Sequence, residues 1–269
     1  MDFYYERPWL AQQIADGLTG SDKWSDAQNG LFLAAPRRTG KSRFLEDELL
    51  PELQRRGLLV IYADLWTQKD QSPMAVIAAK LALAFRQSQG VVARTAHSIG
   101  LDSINVLGVK VDTSKIGATG GMSLHEVLAS IHEQTGKKIV LIIDEAQHAL
   151  TSADGDATMS ALKSARDQMR QKGEANLLLV MSGSHRDKLM RLLNTAATPF
   201  WGSRVQPLPT LGEPFVRAFV AAFERDQPNY IGLDIGILSE AFNLCGQRPQ
   251  FFNHYIEDAR LASRSEERR

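Results

Sequence analysis

Apolar residues fall into two kinds of run along this 269-residue chain. Four are short and nearly continuous: GLFLAA from Gly30, LLVIYADL from Leu58, KIVLIIDEAQHAL from Lys138 and NLLLVMSGS from Asn176. Strands buried on both faces of a parallel sheet need no polar alternation, and these blocks read as such strands. The segments between them carry apolar residues at helical spacing. ERPWLAQQIADGL places Trp9, Leu10, Ile14 and Leu18 on one stripe, and a polar loop, TGSDKWSDAQNG, follows it. KSRFLEDELLPELQRRG does the same with Phe44, Leu45, Leu49 and Leu53; Pro51 should distort that helix and Gly57 should stop it. SPMAVIAAKLALAFRQS begins with Ser72 as N-cap and Pro73 in the first turn. In SLHEVLASIHEQTGK, Ser123 and Glu126 form a capping-box pattern. DATMSALKSARDQMRQKG and HRDKLMRLL are further helices, and RVQPLPTL, with two prolines, suits an edge strand.

Strands alternating with helices imply an α/β fold with a parallel sheet flanked by helices. From Glu213 onward the pattern is wholly helical: EPFVRAFVAAFERD, DIGILSEAFNLCG and RPQFFNHYIEDARLASR. The expected organisation is a core over residues 1–212 and a small C-terminal helical lid over 213–269. Residues 87–121 break the rhythm and read as an insertion; INVLGVKVD within it alternates like an exposed strand or hairpin.

The chemistry is concentrated after the first strand, in APRRTGKS. A strand, a tight turn and a helix start follow in that order. This is the geometry of a phosphate loop, in which backbone N–H groups and a helix N-terminus face the anion. Pro36, Arg37, Arg38, Thr39, Gly40, Lys41, Ser42 and Arg43 are the binding candidates. Lys41 would reach the terminal phosphates and the Ser42 hydroxyl a magnesium ion. Ala35 stands where such loops have glycine, which costs little at negative φ and about 1 kcal/mol or more at positive φ. Arg37 and Arg38 have two readings: added positive field or contact with an adjoining subunit, against simple exposure to solvent. The third apolar block ends in Asp144 and Glu145, at the strand edge where ligands of parallel sheets bind. Asp144 is the candidate metal ligand and Glu145 the candidate general base for an attacking water.

Composition narrows the partners. Lys plus Arg and Asp plus Glu are 31 each, so binding of DNA would need a local basic patch rather than net charge. The single cysteine, Cys245, allows no intrachain disulfide. The six histidines have no zinc-ligand spacing, SGSHR lacks the nucleophile-elbow pattern, and Phe251 and Phe252 read as core. With no basic, apolar leader and no apolar run near the ~20 residues that span a bilayer, the chain reads as cytoplasmic, with no membrane partner.

The phrases PRRTGKS, VIYADLW, VLIIDEAQ, VMSGSHRDKL, TPFWGSRVQPLPTL and GQRPQFF, in that order, resemble the AAA+ and STAND group of P-loop ATPases, and among them the archaeal-type ATPase family. The resemblance implies a P-loop NTPase of AAA+ type using ATP and Mg2+. It assigns Ser182 and Ser184 to the polar sensor of the terminal phosphate, with capping of the following helix as the alternative. It places Arg204, with Arg191 in reserve, as an arginine finger acting on a neighbouring subunit, against an ordinary surface arginine. Arg248 matches a second sensor on the lid, Pro249 would pack near the base, and Arg7 would flank the adenine. Gln147 is either a phosphate-to-partner relay or a plain loop amide.

The resemblance further implies an ATP-dependent molecular switch that hydrolyses ATP to ADP and phosphate and self-associates. One use is a DNA-associated regulator of transposition or replication, with Arg94, Lys110 and Lys115 of the insertion as its DNA contacts. Another is a STAND-like signalling or defence ATPase that recruits an effector, expected to be a separate protein since the charged RSEERR tail carries none. A third is a nucleotide-binding scaffold with little turnover.

Overall fold

The computed structural model describes residues 3–67, 70–88, 103–106, 109–112, 122–194, 198–230 and 232–266. Helix α1 (Pro8–Thr19) starts on a proline and ends on Gly20 in the left-handed conformation, a combination suited to a helix start and stop. Strand β1 (Leu31–Ala34) leads through the loop 35–40 into α2 (Lys41–Phe44), a π turn (Leu45–Leu49) and α3 (Leu50–Arg55). The distortion expected from Pro51 takes this form. Proline has no N–H and its ring crowds the carbonyl four residues back, so the wider π turn just before it accommodates both.

Strand β2 (Leu59–Asp64) and α4 (Pro73–Ser88) follow, and Ser72 accepts from Ala75 N at 3.4 Å, as its N-cap reading requires. Helix α4 runs through Gln87 and Ser88, into the start of the expected insertion. Within that insertion, β3 (Ser103–Val106) and β4 (Val109–Asp112) pair antiparallel, so the hairpin reading holds. Lys110 falls on β4, while Arg94 and Lys115 lie outside the described residues. Helix α5 (Leu124–Thr135) opens on the full Ser123–Glu126 capping box and closes on left-handed Gly136.

Strand β5 (Ile139–Asp144) is buried throughout and passes through a 3₁₀ turn (Ala146–Thr151) into α6 (Gly155–Gln168). The helix expected to reach Gly173 stops earlier. Strands β6 (Arg170–Gln171) and β7 (Glu174–Ala175) form a small hairpin, because Lys172 and Gly173 both take positive φ, the two-residue turn that suits strand twist. Strand β8 (Leu177–Gly183), α7 (Arg186–Met190) and β9 (Val205–Pro207) complete the core, and α8 (Gly212–Asp226), α9 (Ile235–Leu244) and α10 (Pro249–Glu266) form the C-terminal helical region.

Five strands make one parallel sheet in the order β2-β5-β8-β1-β9. Side chains alternate between its two faces. Phe32, Ile61, Leu141, Ile143 and Leu179 pack with α4, α5 and α6, whereas Leu31, Leu33, Val60, Ile142 and Val180 pack with α1, α2 and the π turn. Both layers are apolar, which explains the unbroken hydrophobic blocks. A third core joins the C-terminal helices: Phe215 stacks on Phe242 at 4.7 Å, with Phe219 and Phe252 beside them. Phe3 and Tyr5, from the other end of the chain, pack into it as well. Of the two aromatics read as core in α10, Phe252 is buried there, but Phe251 instead faces two arginines. Among the described residues no helix is long and apolar enough to cross a membrane.

Candidate functional site

The sheet brings the chemistry to one edge. Strand β8 lies between β1 and β5, with Ala34 level with Gly183 and Ile143 level with Met181. The loop leaving β1 therefore stands across β8 from the acids that end β5. Lys41 Nζ donates to Asp144 and to Ser182 Oγ at 3.0 Å, and lies 3.2 Å from Glu145 Oε1. Ser42 Oγ donates to Asp144 Oδ2 at 2.5 Å, and Ser182 Oγ donates to the other oxygen, Oδ1. Lys41 and Asp144 are almost completely buried.

Burial opposes ionisation of Asp144, but the Lys41 charge and the hydrogen bonds from Lys41, Ser182 and Ser42 outweigh it. The carboxyl is held below its ordinary range. Glu145 shows the same balance: burial raises its pKa, while Lys41, Gln147 and Ser184 bring it below the ordinary value. Both acids are thus anionic at neutral pH. Glu145 takes left-handed φ (54°), which turns its side chain out of the strand direction. Ser184 Oγ donates to Glu145 Oε2 at 2.9 Å, and Gln147 Nε2 donates to the same oxygen.

The loop resolves the question of Ala35. Positive φ falls on Arg38 (70°) and Gly40 (83°), and Ala35 is not among the positive-φ residues, so alanine meets no strain there. Thr39 Oγ1 closes the turn on Pro36 O at 2.7 Å. Two clefts meet at Arg38, Gly40 and Arg43. One is lined by Pro36, Arg37, Lys41 and Ser42 together with Asp64, Trp66, Asp144 and Glu145. The other is lined by Phe3, Tyr4, Tyr5, Arg7, Thr39, Leu211, Phe215, Pro249, Gln250 and Asn253.

Arg7 is buried on the Phe44 ring, 4.8 Å from its centroid, and donates to Pro209 O at 3.0 Å. Its backbone N–H is held by Glu48, which also receives the Tyr4 hydroxyl. Arg248 lines neither cleft; it shares the Phe251 ring with Arg38, each guanidinium 5.3 Å from the centroid. Arg204 and Arg191 are exposed and line neither cleft. Ser182 lies inside β8 rather than beyond it, and Ser184 does not cap α7, whose N-cap is His185 without a side-chain bond.

Three residues of this edge lie in the phrase VIYADLW, to which the sequence reading gives no site role. The Tyr62 hydroxyl donates to Asp144 Oδ2 at 3.0 Å. Asp64 sits level with Asp144 on the neighbouring strand, and Trp66 follows it. The visible signal was a polar pair, Tyr62 and Asp64, inside an otherwise apolar strand. The Asp144 carboxylate and Ser42 hydroxyl form a hard-oxygen pair suited to Mg2+, which takes one or two protein oxygens and completes its shell from phosphates and water.

The fold is a five-stranded parallel sheet flanked by helices, with a helical region C-terminal to it. No family model matches the chain, and no curated protein matches it by sequence. Among solved structures it is similar to the Aeropyrum pernix ORC1 protein in complex with DNA, at 15% identity and a TM-score of 0.49, over 84% of this chain and 51% of that one. It is also similar to the Aeropyrum pernix ORC2 protein in ADPNP–ADP complexes, at 14% identity and 0.48, over 84% and 53%. A third is AMPPCP-bound DnaA from Aquifex aeolicus, at 13% identity and 0.46, over 96% and 63%. The chain therefore spans about half to just under two thirds of those chains.

Proposed function

We propose that the chain binds ATP with Mg2+ and hydrolyses it to ADP and phosphate, as a switch that associates with further copies of itself. The observation that carries this is the convergence of Lys41, Ser42, Asp144 and Glu145 at the mouth of a strand–loop–helix turn. The cleft with the acids would take the phosphates, and the cleft with Arg7 and Pro249 the base and sugar.

Asp144 and Ser42 would hold the metal, which supplies charge neutralisation between the phosphates. Glu145, ionised and steadied by Ser184 and Gln147, accepts a proton from the attacking water. The new bond forms from that water oxygen to the terminal phosphorus, and the bond to the bridging oxygen breaks as ADP leaves. Lys41, Ser182 and Ser184 are the groups on the protein side that would register loss of the terminal phosphate. Exposed Arg204, or Arg191, would serve a neighbour's site rather than its own.

Calorimetry with Mg-ATP, turnover of wild type and Glu145→Gln, and particle mass with and without duplex DNA test the reading. We expect binding in both proteins, turnover in wild type only, and a larger particle with ATP that is lost in Lys41→Ala. A folded wild type that ignores ATP and ADP alike ends the proposal. Salt-dependent DNA binding selects the use as a DNA-associated regulator; its absence selects recruitment of a protein effector. Binding without turnover in wild type selects the scaffold.

A further inference from the structure

Lys41 is not a free cation. Its ammonium contacts Asp144 and Glu145, so most of its charge is already matched within the protein. Arg43, in the same cleft, pairs with Asp47 at 3.2 Å. Arg37 and Arg38 differ: neither makes an ion pair among the described residues, and each instead lies over an aromatic ring. Arg38 borders both clefts, whereas Arg37 borders only the one that contains the acids.

The Arg37 guanidinium lies 5.0 Å from the centroid of Trp66. Trp66 is fixed in turn. Its backbone N–H donates to Asp64 Oδ1 at 2.7 Å, and its ring meets His148 at 4.7 Å. His148 belongs to the 3₁₀ turn that directly follows Glu145. A long, exposed arginine side chain ordinarily samples many rotamers. Stacking on a ring that is itself held from two sides reduces that freedom while leaving its N–H donors unclaimed by any carboxylate among the described residues.

From this geometry we infer that Arg37 is a second, in-chain ligand for the terminal phosphate, presented by Trp66, and that it sets the preference of the site for a triphosphate over a diphosphate. The inference rests on the nucleotide reading of this cleft. Arg37 is the binding residue and Trp66 a positioning residue. A diphosphate occupying the loop reaches Lys41 and the backbone turn, but lacks the group that would stand beside Arg37.

The test is calorimetry with Mg-ADP and with the non-hydrolysable triphosphate Mg-AMPPNP, at a protein concentration where ultracentrifugation shows the same oligomeric state for every variant. In Arg37→Ala the triphosphate-to-diphosphate affinity ratio should fall by about tenfold, the equivalent of one charge-assisted hydrogen bond, with ADP affinity nearly unchanged. Trp66→Leu should lose part of the ratio; Trp66→Phe, which keeps a stacking face, should keep it, and Arg37→Lys should be intermediate. AMPPNP should also change Trp66 fluorescence as the phosphate neutralises the Arg37 charge held over the ring, a change absent in Trp66→Phe and in Arg37→Ala and much smaller with ADP.

An unchanged ratio in Arg37→Ala overturns the inference, and so does an equal loss of both nucleotides, which would make Arg37 a loop-shaping residue. Equal fluorescence responses to ADP and AMPPNP overturn it too. If wild type binds neither nucleotide, the function proposed above fails along with it; if wild type binds both and only the ratio result fails, that function stands.

Discussion

Gly183 and Gln147 are packed so closely that a Cβ on the glycine would stand 2.5 Å from the Gln147 amide oxygen. The backbone of Gly183 does not take positive φ, so the restriction is one of space alone. At this point the end of β8 leaves room only for a glycine beside the amide that holds Glu145. Gly183→Ala should cost about 1–3 kcal/mol by overpacking and, on the function proposed above, cut ATP turnover about tenfold or more by displacing Glu145, the proposed general base. Adding Gln147→Ala should restore the denaturation midpoint but not the turnover. Recovery of both by the second substitution would show that Gln147 does not hold Glu145 for the reaction.

The buried Lys41–Asp144 pair gives a pH signature of known sign. Asp144 and Glu145 have depressed values in the folded protein, so their contribution to stability is complete above their unfolded values, about pH 4, and is lost as pH falls through the folded values. Lys41→Met leaves Asp144 buried without its cation and should destabilise by about 3–5 kcal/mol at pH 7. In that variant the slope reverses around the carboxylate range, since protonating the stranded acid then helps folding. Urea midpoints of both proteins between pH 7 and pH 3 measure it; parallel curves would sink the idea.

Ser182 is fully buried and touches both partners of that pair. Ser182→Ala removes a donor to Asp144 and an acceptor for Lys41 without adding volume, and should cost about 1–3 kcal/mol. Turnover should fall more than nucleotide affinity, as expected of a group that reports on the terminal phosphate. Steady-state kinetics beside calorimetry separates the two, and an equal loss in both contradicts the sensor role.

Arg38 holds a left-handed backbone and also lies over Phe251. Arg38→Ala loses the ring contact and keeps the strain, whereas Arg38→Gly loses the contact and relieves the strain. Glycine should therefore be the more stable of the two by about 1 kcal/mol. In a Phe251→Leu background the cost of removing the Arg38 side chain should shrink by about 0.5–1 kcal/mol, the size of an exposed cation–π contact. Thermal melts of wild type, Arg38→Ala, Arg38→Gly, Phe251→Leu and the Arg38→Ala/Phe251→Leu double variant give both differences.

The strands, the helix order and the principal acids were legible because burial on both faces leaves unbroken apolar blocks, and Asp144 ends one of them. Lys41 and Ser42 were legible from a local strand–turn–helix pattern. Tyr62 was not, because its bond to Asp144 depends on how β2 and β5 align, and register between strands eighty residues apart leaves no local trace. The stacking of Arg37 on Trp66 was hidden for the same reason: it joins the ends of two strands that are not even neighbours in the sheet. The early end of α6 was missed because Lys172 adopts a turn conformation that its residue type does not advertise. Phe3 and Tyr5 lie far along the chain from the helices they join, and only the folded core shows them together.

The π turn ahead of Pro51 inserts, in effect, one supernumerary residue between two stretches of ordinary helix. Each residue advances an α-helix by about 100°. That offset sets the azimuth of Arg56, which reaches Asp16 at 2.7 Å, relative to Lys41 at the opposite end. Shortening the segment by a single residue would rotate one end away from α1 or the other away from the sheet. The helix thus behaves as a keyed shaft: its length in residues, and not only its composition, is under constraint.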